Sequence, residues 1–224
     1  MSLKIKTPPA SEPLSLAETK TYLDVSDTAD DALITALITA LRQTCEAWTG
    51  RAIVSQTWTL WLDGFPRAGE KSGASADGAY ELPVDHFDRV KRFIVIPRPS
   101  LQSVTHLKTY DTADAAATFS ATNYFVDTAS EPGRLALNSA AVWPSTSLRP
   151  VNGIEIEFVA GYGAASAVPD ALKQGMLLWI KLLYSDKAWL FETDRSVPGL
   201  IELNRNQVPP QVASLWLPYR LMKF

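Results

Sequence analysis

Cys45-Glu46-Ala47-Trp48-Thr49-Gly50-Arg51-Ala52-Ile53-Val54-Ser55-Gln56-Thr57-Trp58-Thr59-Leu60-Trp61-Leu62 joins two periodicities at one glycine. Upstream, Ile34, Ile38, Leu41, Cys45 and Trp48 recur at alternating four- and three-residue steps, the stripe of an amphipathic helix, and Leu33 and Leu37 widen it. Gly50 suits the left-handed turn that closes a helix, so the spacing predicts an end at Thr49. Downstream the period falls to two. Val54, Trp58, Leu60 and Leu62 share one face while Ser55, Thr57 and Thr59 share the other, as in a half-buried strand. A long helix running directly into a strand makes the chain mixed α and β.

Outward from this junction, Ser15-Leu16-Ala17-Glu18 has capping-box spacing and predicts a short helix ending near Asp24. The long helix is expected to follow Ser26-Asp27, with Asp30 and Asp31 at the positive end of its dipole. Strands are expected over 93–96, 103–110, 124–127, 134–137 and 153–159, which makes an antiparallel β region of about a hundred residues. Residues 64–89, rich in Gly, Ala, Ser and Asp, read as a long loop or hairpin tip. Helix returns after Val168-Pro169 and runs to about Trp189. Leu172, Met176, Trp179 and Leu183 form one of its faces, and Leu177, Ile180 and Tyr184 form a second. A helix apolar on two sides must be covered on two sides, by its own domain or by a neighbouring subunit. That makes Leu177, Ile180 and Tyr184 a candidate subunit interface. A polar segment, 192–207, then leads through Pro209-Pro210 to a short last helix and the tail Leu217-Pro218-Tyr219-Arg220-Leu221-Met222-Lys223-Phe224.

With 224 residues, 46% hydrophobic, the chain is long enough to bury roughly 70% of its unfolded surface in one or two domains. Its 21 basic and 24 acidic residues give a formal net charge of -3, so it lacks the global basic footprint of a nucleic-acid-gripping protein. The single cysteine, Cys45, lies in the helical stripe, which excludes an intrachain disulfide and argues against a cysteine metal site. The start carries Pro8-Pro9 and no apolar run of signal-peptide length, and Lys173 and Lys181 interrupt the apolar stretch near Trp179. Neither export nor membrane insertion is expected.

Catalytic chemistry finds little support. His86 and His106 are the only histidines, no Gly-x-Ser-x-Gly elbow accompanies them, and both read as structural. Gly161-Tyr162-Gly163 lacks the second βαβ unit of a dinucleotide site and reads as a strand-to-helix turn. Asp27, Asp30 and Asp31 are explained by capping and dipole rather than by metal binding. No catalytic residue, metal site or cofactor is expected. The seven tryptophans raise the alternative of a virion-associated or secreted carbohydrate-binding β module. Against it, Trp48 and Trp179 lie on helical stripes and Trp58 on an apolar strand face. The tail holds Trp216, Leu217, Tyr219, Arg220 and Phe224; aromatics with arginine are the anchors of protein interfaces, so the tail reads as built to dock. The alternative is that Trp216, Tyr219 and Phe224 fold back on the chain's own helices.

Several stretches, in order, resemble phage head-tail connector proteins, the adaptors that lie under the portal in long-tailed phages and gene transfer agents. They are Glu12-Pro13-Leu14-Ser15-Leu16-Ala17-Glu18, Asp30-Asp31-Ala32-Leu33-Ile34, Glu46-Ala47-Trp48-Thr49-Gly50-Arg51-Ala52 and Gln56-Thr57-Trp58. Pro97-Arg98-Pro99-Ser100-Leu101-Gln102-Ser103-Val104, Glu131-Pro132-Gly133-Arg134-Leu135, Phe158-Val159-Ala160-Gly161-Tyr162-Gly163, Val168-Pro169-Asp170-Ala171-Leu172-Lys173-Gln174 and Pro218-Tyr219-Arg220 continue the series. Each is weak alone, but their shared order along nearly the whole chain is specific; the long 64–89 segment is the departure.

The resemblance implies an α+β fold in which N- and C-terminal helices form a bundle with the antiparallel β region inserted. Residues 1–52 would supply the first helical part, 53–163 the β region and 164–224 the closing helices and docking tail. It further implies a ring of about twelve copies in the virion neck, assembled from subunits made in the host bacterial cytoplasm. The ring would join the portal protein to a stopper, head-completion or tail protein and extend the channel through which double-stranded DNA passes, without sequence-specific binding. The tail residues Trp216, Leu217, Tyr219, Arg220 and Phe224 would dock on the portal.

Overall fold

A computed structural model describes residues 1–65, 93–189 and 208–221, with side chains between 186 and 189 left aside. Among these residues the chain forms four helices, α1 (Leu16–Leu23), α2 (Asp31–Thr49), α3 (Asp170–Trp189) and α4 (Pro210–Trp216). It also forms eight strands: β1 (Ser2–Thr7), β2 (Gln56–Leu62), β3 (Phe93–Val95), β4 (Leu101–Tyr110), β5 (Ala116–Phe119), β6 (Tyr124–Asp127), β7 (Arg134–Leu137) and β8 (Ile154–Ala160). The class is α+β, with two antiparallel sheets. From residue 66 onward the expected loop, His86 with it, lies outside the described residues, as do the segment 192–207 and Phe224.

The chain divides into two compact units: Met1–Pro8 with Gln56–Ala160, and Pro9–Ser55 with Gly161–Phe224. The first eight residues therefore belong with the strands, not with the helices that follow them. Lys4, Ile5 and Lys6 make too short an alternation to announce a strand before two prolines, and β1 gains its ladder only from β2, pairing Leu3 with Leu60 and Ile5 with Trp58. β5 was likewise not expected. Ala116-Ala117-Thr118-Phe119 has weak strand propensity and is held by its pairing to β4.

In the strand unit the larger sheet has the order β1-β2-β8-β4-β5, and the smaller one β3-β7-β6. The alternation of β2 and β8 is realised in register: Trp58 opposes Phe158, Leu60 opposes Ile156 and Leu62 opposes Ile154. Trp58, Leu60, Ile154, Ile156 and Phe158 are buried, joined by Leu107 from β4. The opposite face carries Thr59, Trp61, Glu155 and Glu157.

In the helical unit Ser15 Oγ accepts from Glu18 N at 3.1 Å, which caps α1, and Asp24 closes it in the left-handed conformation. α2 starts at Asp31, later than the acidic cluster suggested, because Asp27 Oδ1 first accepts from Ala29 N in a turn. Its end is as expected: Gly50 has φ 76° and donates to Glu46 O. Ile34, Ile38, Leu41 and Cys45 of α2 meet Leu172, Met176, Leu177 and Ile180 of α3 and Val212 and Trp216 of α4 in one core. Gly161 sits with φ 132° where a Cβ would overlap the Val54 backbone; Tyr162 N donates to Ile53 O and Ser55 N to Gly163 O. The Gly-Tyr-Gly turn is thereby occupied by the chain itself and opens no phosphate loop.

Candidate functional site

The sequence singled out the end of α2 and the tail, and the structure brings them together. The α2 end is fixed first. Thr49 Oγ1 donates to Cys45 O at 2.7 Å and accepts from Arg51 N, while Glu46, buried, accepts from Ile53 N and from Arg42 Nη1, both at 3.1 Å. Arg42 is also buried and reaches Glu12 with Nε at 2.7 Å, so two carboxylates share its charge. A buried guanidinium needs such partners, because desolvation otherwise outweighs attraction.

Onto this turn the tail is laid. Trp216 is fully buried, its ring 6.1 Å from Trp48 and 5.7 Å from Trp179, and its Nε1 donates to Leu172 O at 3.2 Å. Any side chain at Gly175 would collide with that indole. Arg51 Nε donates to Tyr219 O at 2.5 Å, Leu221 N donates to Thr49 O at 2.9 Å, and the Leu221 side chain packs over Gly50. The Arg220 guanidinium stacks on Trp48, 4.9 Å from its centroid. Trp216 is thus an internal anchor. Leu217, 61% exposed, and Arg220 remain outside.

The candidate interface on α3 is placed differently. Leu177 and Ile180 are buried in the helical core, because α1 and α2 cover the side the sequence left open. Tyr184 is half-buried and donates to Asp30 Oδ2 at 2.7 Å; that bond raises its pKa to about 12. Among the described side chains, the large apolar ones that α3 leaves exposed are Leu182 and Leu183.

Sequence reasoning passed over one constellation in the strand unit. His106 Nε2 lies 3.1 Å from Glu155 Oε1, and His106 Nδ1 lies 3.9 Å from Glu157 Oε2. Tyr110 donates to Glu155 Oε2 at 2.5 Å, and Lys6 is ion-paired to Glu157. Burial pushes the Glu155 carboxyl up, but the hydrogen bonds from Tyr110 and His106 outweigh it and hold the group below its ordinary value. The same bond raises Tyr110 to about 12. The signal was Glu155 and Glu157 two residues apart, which reads equally well as a solvated strand face.

Among the described side chains, six of the seven tryptophans are placed, and they form no common outer platform. Trp58 and Trp216 are buried, Trp48 and Trp179 pack on the helical core, Trp143 stacks on Phe65 at 4.8 Å, and Trp61 lies beneath Arg149.

A scan against protein-family models gives no match, and a search of curated proteins gives none. Solved structures do match over the full length. The chain is similar to a protein in the neck of an empty gene transfer agent particle computed with C6 symmetry, with TM-score 0.69 and 20% identity. A native gene transfer agent virion gives TM-score 0.68 and 20% identity, and the neck of the native particle computed with C12 symmetry gives 0.61 and 22%. Each match covers 100% of this chain and 97% of the other. The fold of this chain, from end to end, is one found in the neck of gene transfer agent particles.

Proposed function

We propose that this chain is a structural protein of the virion neck, the adaptor that joins a portal to the next neck or tail protein. The observation that carries the reading is the end-to-end likeness to gene transfer agent neck structures, one computed with C12 symmetry. In this role about twelve copies close into a ring, each using two different patches. The helical unit is a bundle of N- and C-terminal helices, and residues 56–160 of the strand unit are inserted between them, with residues 1–8 added from the start of the chain. The ring extends the portal channel, and DNA slides through it during packaging and ejection. A formal net charge of -3 suits a lumen that must not hold phosphates.

Portal docking falls on the tail around and beyond Trp216. Trp216 and the bonds to Tyr219 and Leu221 fix the direction of the chain, and Leu217, Tyr219, Arg220 and Phe224 make the contact. Leu182 and Leu183, with Tyr184 beside them, are the α3 surface offered to the neighbouring subunit, in place of Leu177 and Ile180. Native mass spectrometry of the chain mixed with its portal ring tests the reading. Near one adaptor per portal subunit is expected for the full chain, and weaker binding for a version ending at Leu221, which lacks Phe224. No binding by the full chain to an intact portal ring would overturn the adaptor role.

A further inference from the structure

We propose that His106 of β4 and Glu155 and Glu157 of β8 form a binding site for a first-row divalent cation, with zinc the best fit, on the polar face of the five-stranded sheet. The backbone supplies the arrangement. Period two puts Glu155 and Glu157 on the same face of the central strand, and the antiparallel register sets His106 opposite Glu157. One ligand atom from each residue lies within 4.8 Å of the other two; among the described residues no other such group of three is found. Bonds of about 2.0–2.2 Å in a tetrahedron hold ligand atoms about 3.4 Å apart, so side-chain rotation alone closes the set around an ion. His106 Nε2 and Glu155 Oε1 already stand at 3.1 Å, while Glu157 faces the other ring nitrogen, Nδ1, at 3.9 Å, so the Glu157 carboxylate must turn to share an ion with Nε2.

The chemistry selects the metal class. One imidazole nitrogen with two carboxylates suits zinc and its neighbours, whereas calcium takes six to eight oxygens. The three side chains are 17%, 13% and 11% exposed, buried enough to be oriented yet reachable by an ion that keeps a water as fourth ligand. Tyr110 donates to the second oxygen of Glu155, the outer hydrogen bond that orients a ligating carboxylate. The positive charge now at Glu157 is the Lys6 ammonium, from edge strand β1, on a side chain 53% exposed. An exposed ammonium in one ion pair is a weak competitor. A bound ion takes its place and releases Lys6 to water.

The test uses the full chain, dialysed against chelator and titrated with zinc chloride by calorimetry and thermal melting, and with cobalt(II) by absorption. Expected are one zinc per chain, a raised Tm and a tetrahedral cobalt spectrum. Affinity should fall about tenfold or more in His106→Ala and Glu157→Gln, stay unchanged in His86→Ala, and tighten in Lys6→Ala. That last result separates a metal site from a purely structural ion-pair network, which Lys6→Ala would only weaken. No saturable binding, binding that survives in both His106→Ala and Glu157→Gln, or no gain in Lys6→Ala would overturn the proposal. Should a ligand variant fail to fold, the wild-type cobalt spectrum decides: an octahedral spectrum overturns it.

Discussion

Trp216 fills the space between α3 and α4 that Gly175 leaves open, and its indole nitrogen satisfies the Leu172 carbonyl. Trp216→Ala should cost the helical unit about 3–5 kcal/mol, read as a shifted denaturant midpoint with little change in m. A version of the chain cut before Trp216 would therefore lose fold and docking together, which is why the informative truncation ends at Leu221. Cys45, fully buried beside Glu46, has its thiol pushed far up by burial first and by that carboxylate second. It should resist a maleimide in native buffer and react in step with unfolding of the helical unit; rapid labelling of the native protein would contradict this packing.

At the scale of elements, the β6–β7 hairpin is fastened by Asp127. It accepts from Ser130 Oγ at 2.7 Å, from Arg134 Nη2 at 2.6 Å and from the Ser130 and Ala129 amides. The Ser130 hydroxyl first, and Arg134 next, hold its carboxyl far below the ordinary range. A depressed carboxylate contributes stability that is present above its unfolded pKa of about 3.9 and lost as pH falls through the folded one. The stability gap between wild type and Asp127→Asn in urea should therefore be constant from pH 7 to 5 and shrink below about pH 4. A gap independent of pH down to 2 would remove the carboxylate from the account. Elements were legible where local pattern and tertiary pairing agree: β6 and β7 fall on the residues their alternation marks, and α2 stops at its glycine. β1 and β5 were not, since edge strands of weak propensity exist only because β2 and β4 offer them a ladder.

At the scale of the whole molecule, the tail is tied to the α2 end at Tyr219 and Leu221 while Leu217 stays in solvent. Leu217→Ser, at an exposed position, should leave Tm within a degree or two, since such surface changes cost under about 0.5 kcal/mol. Under the adaptor reading it should still weaken portal binding measurably in native mass spectrometry. Unchanged binding would move the docking surface elsewhere on the tail. The sequence by itself determined the α+β class, the junction at Gly50, the long α3 and the likeness to proteins of the virion neck, because periodicity, capping and motif order are local properties. Only the tertiary structure decided that Leu177, Ile180 and Trp216 face inward, that residues 1–8 join the strands, and that His106 meets Glu155 and Glu157. A stripe on a helix or a strand states that it must be covered; which partner covers it depends on contacts between residues far apart in the chain, and those no local pattern encodes.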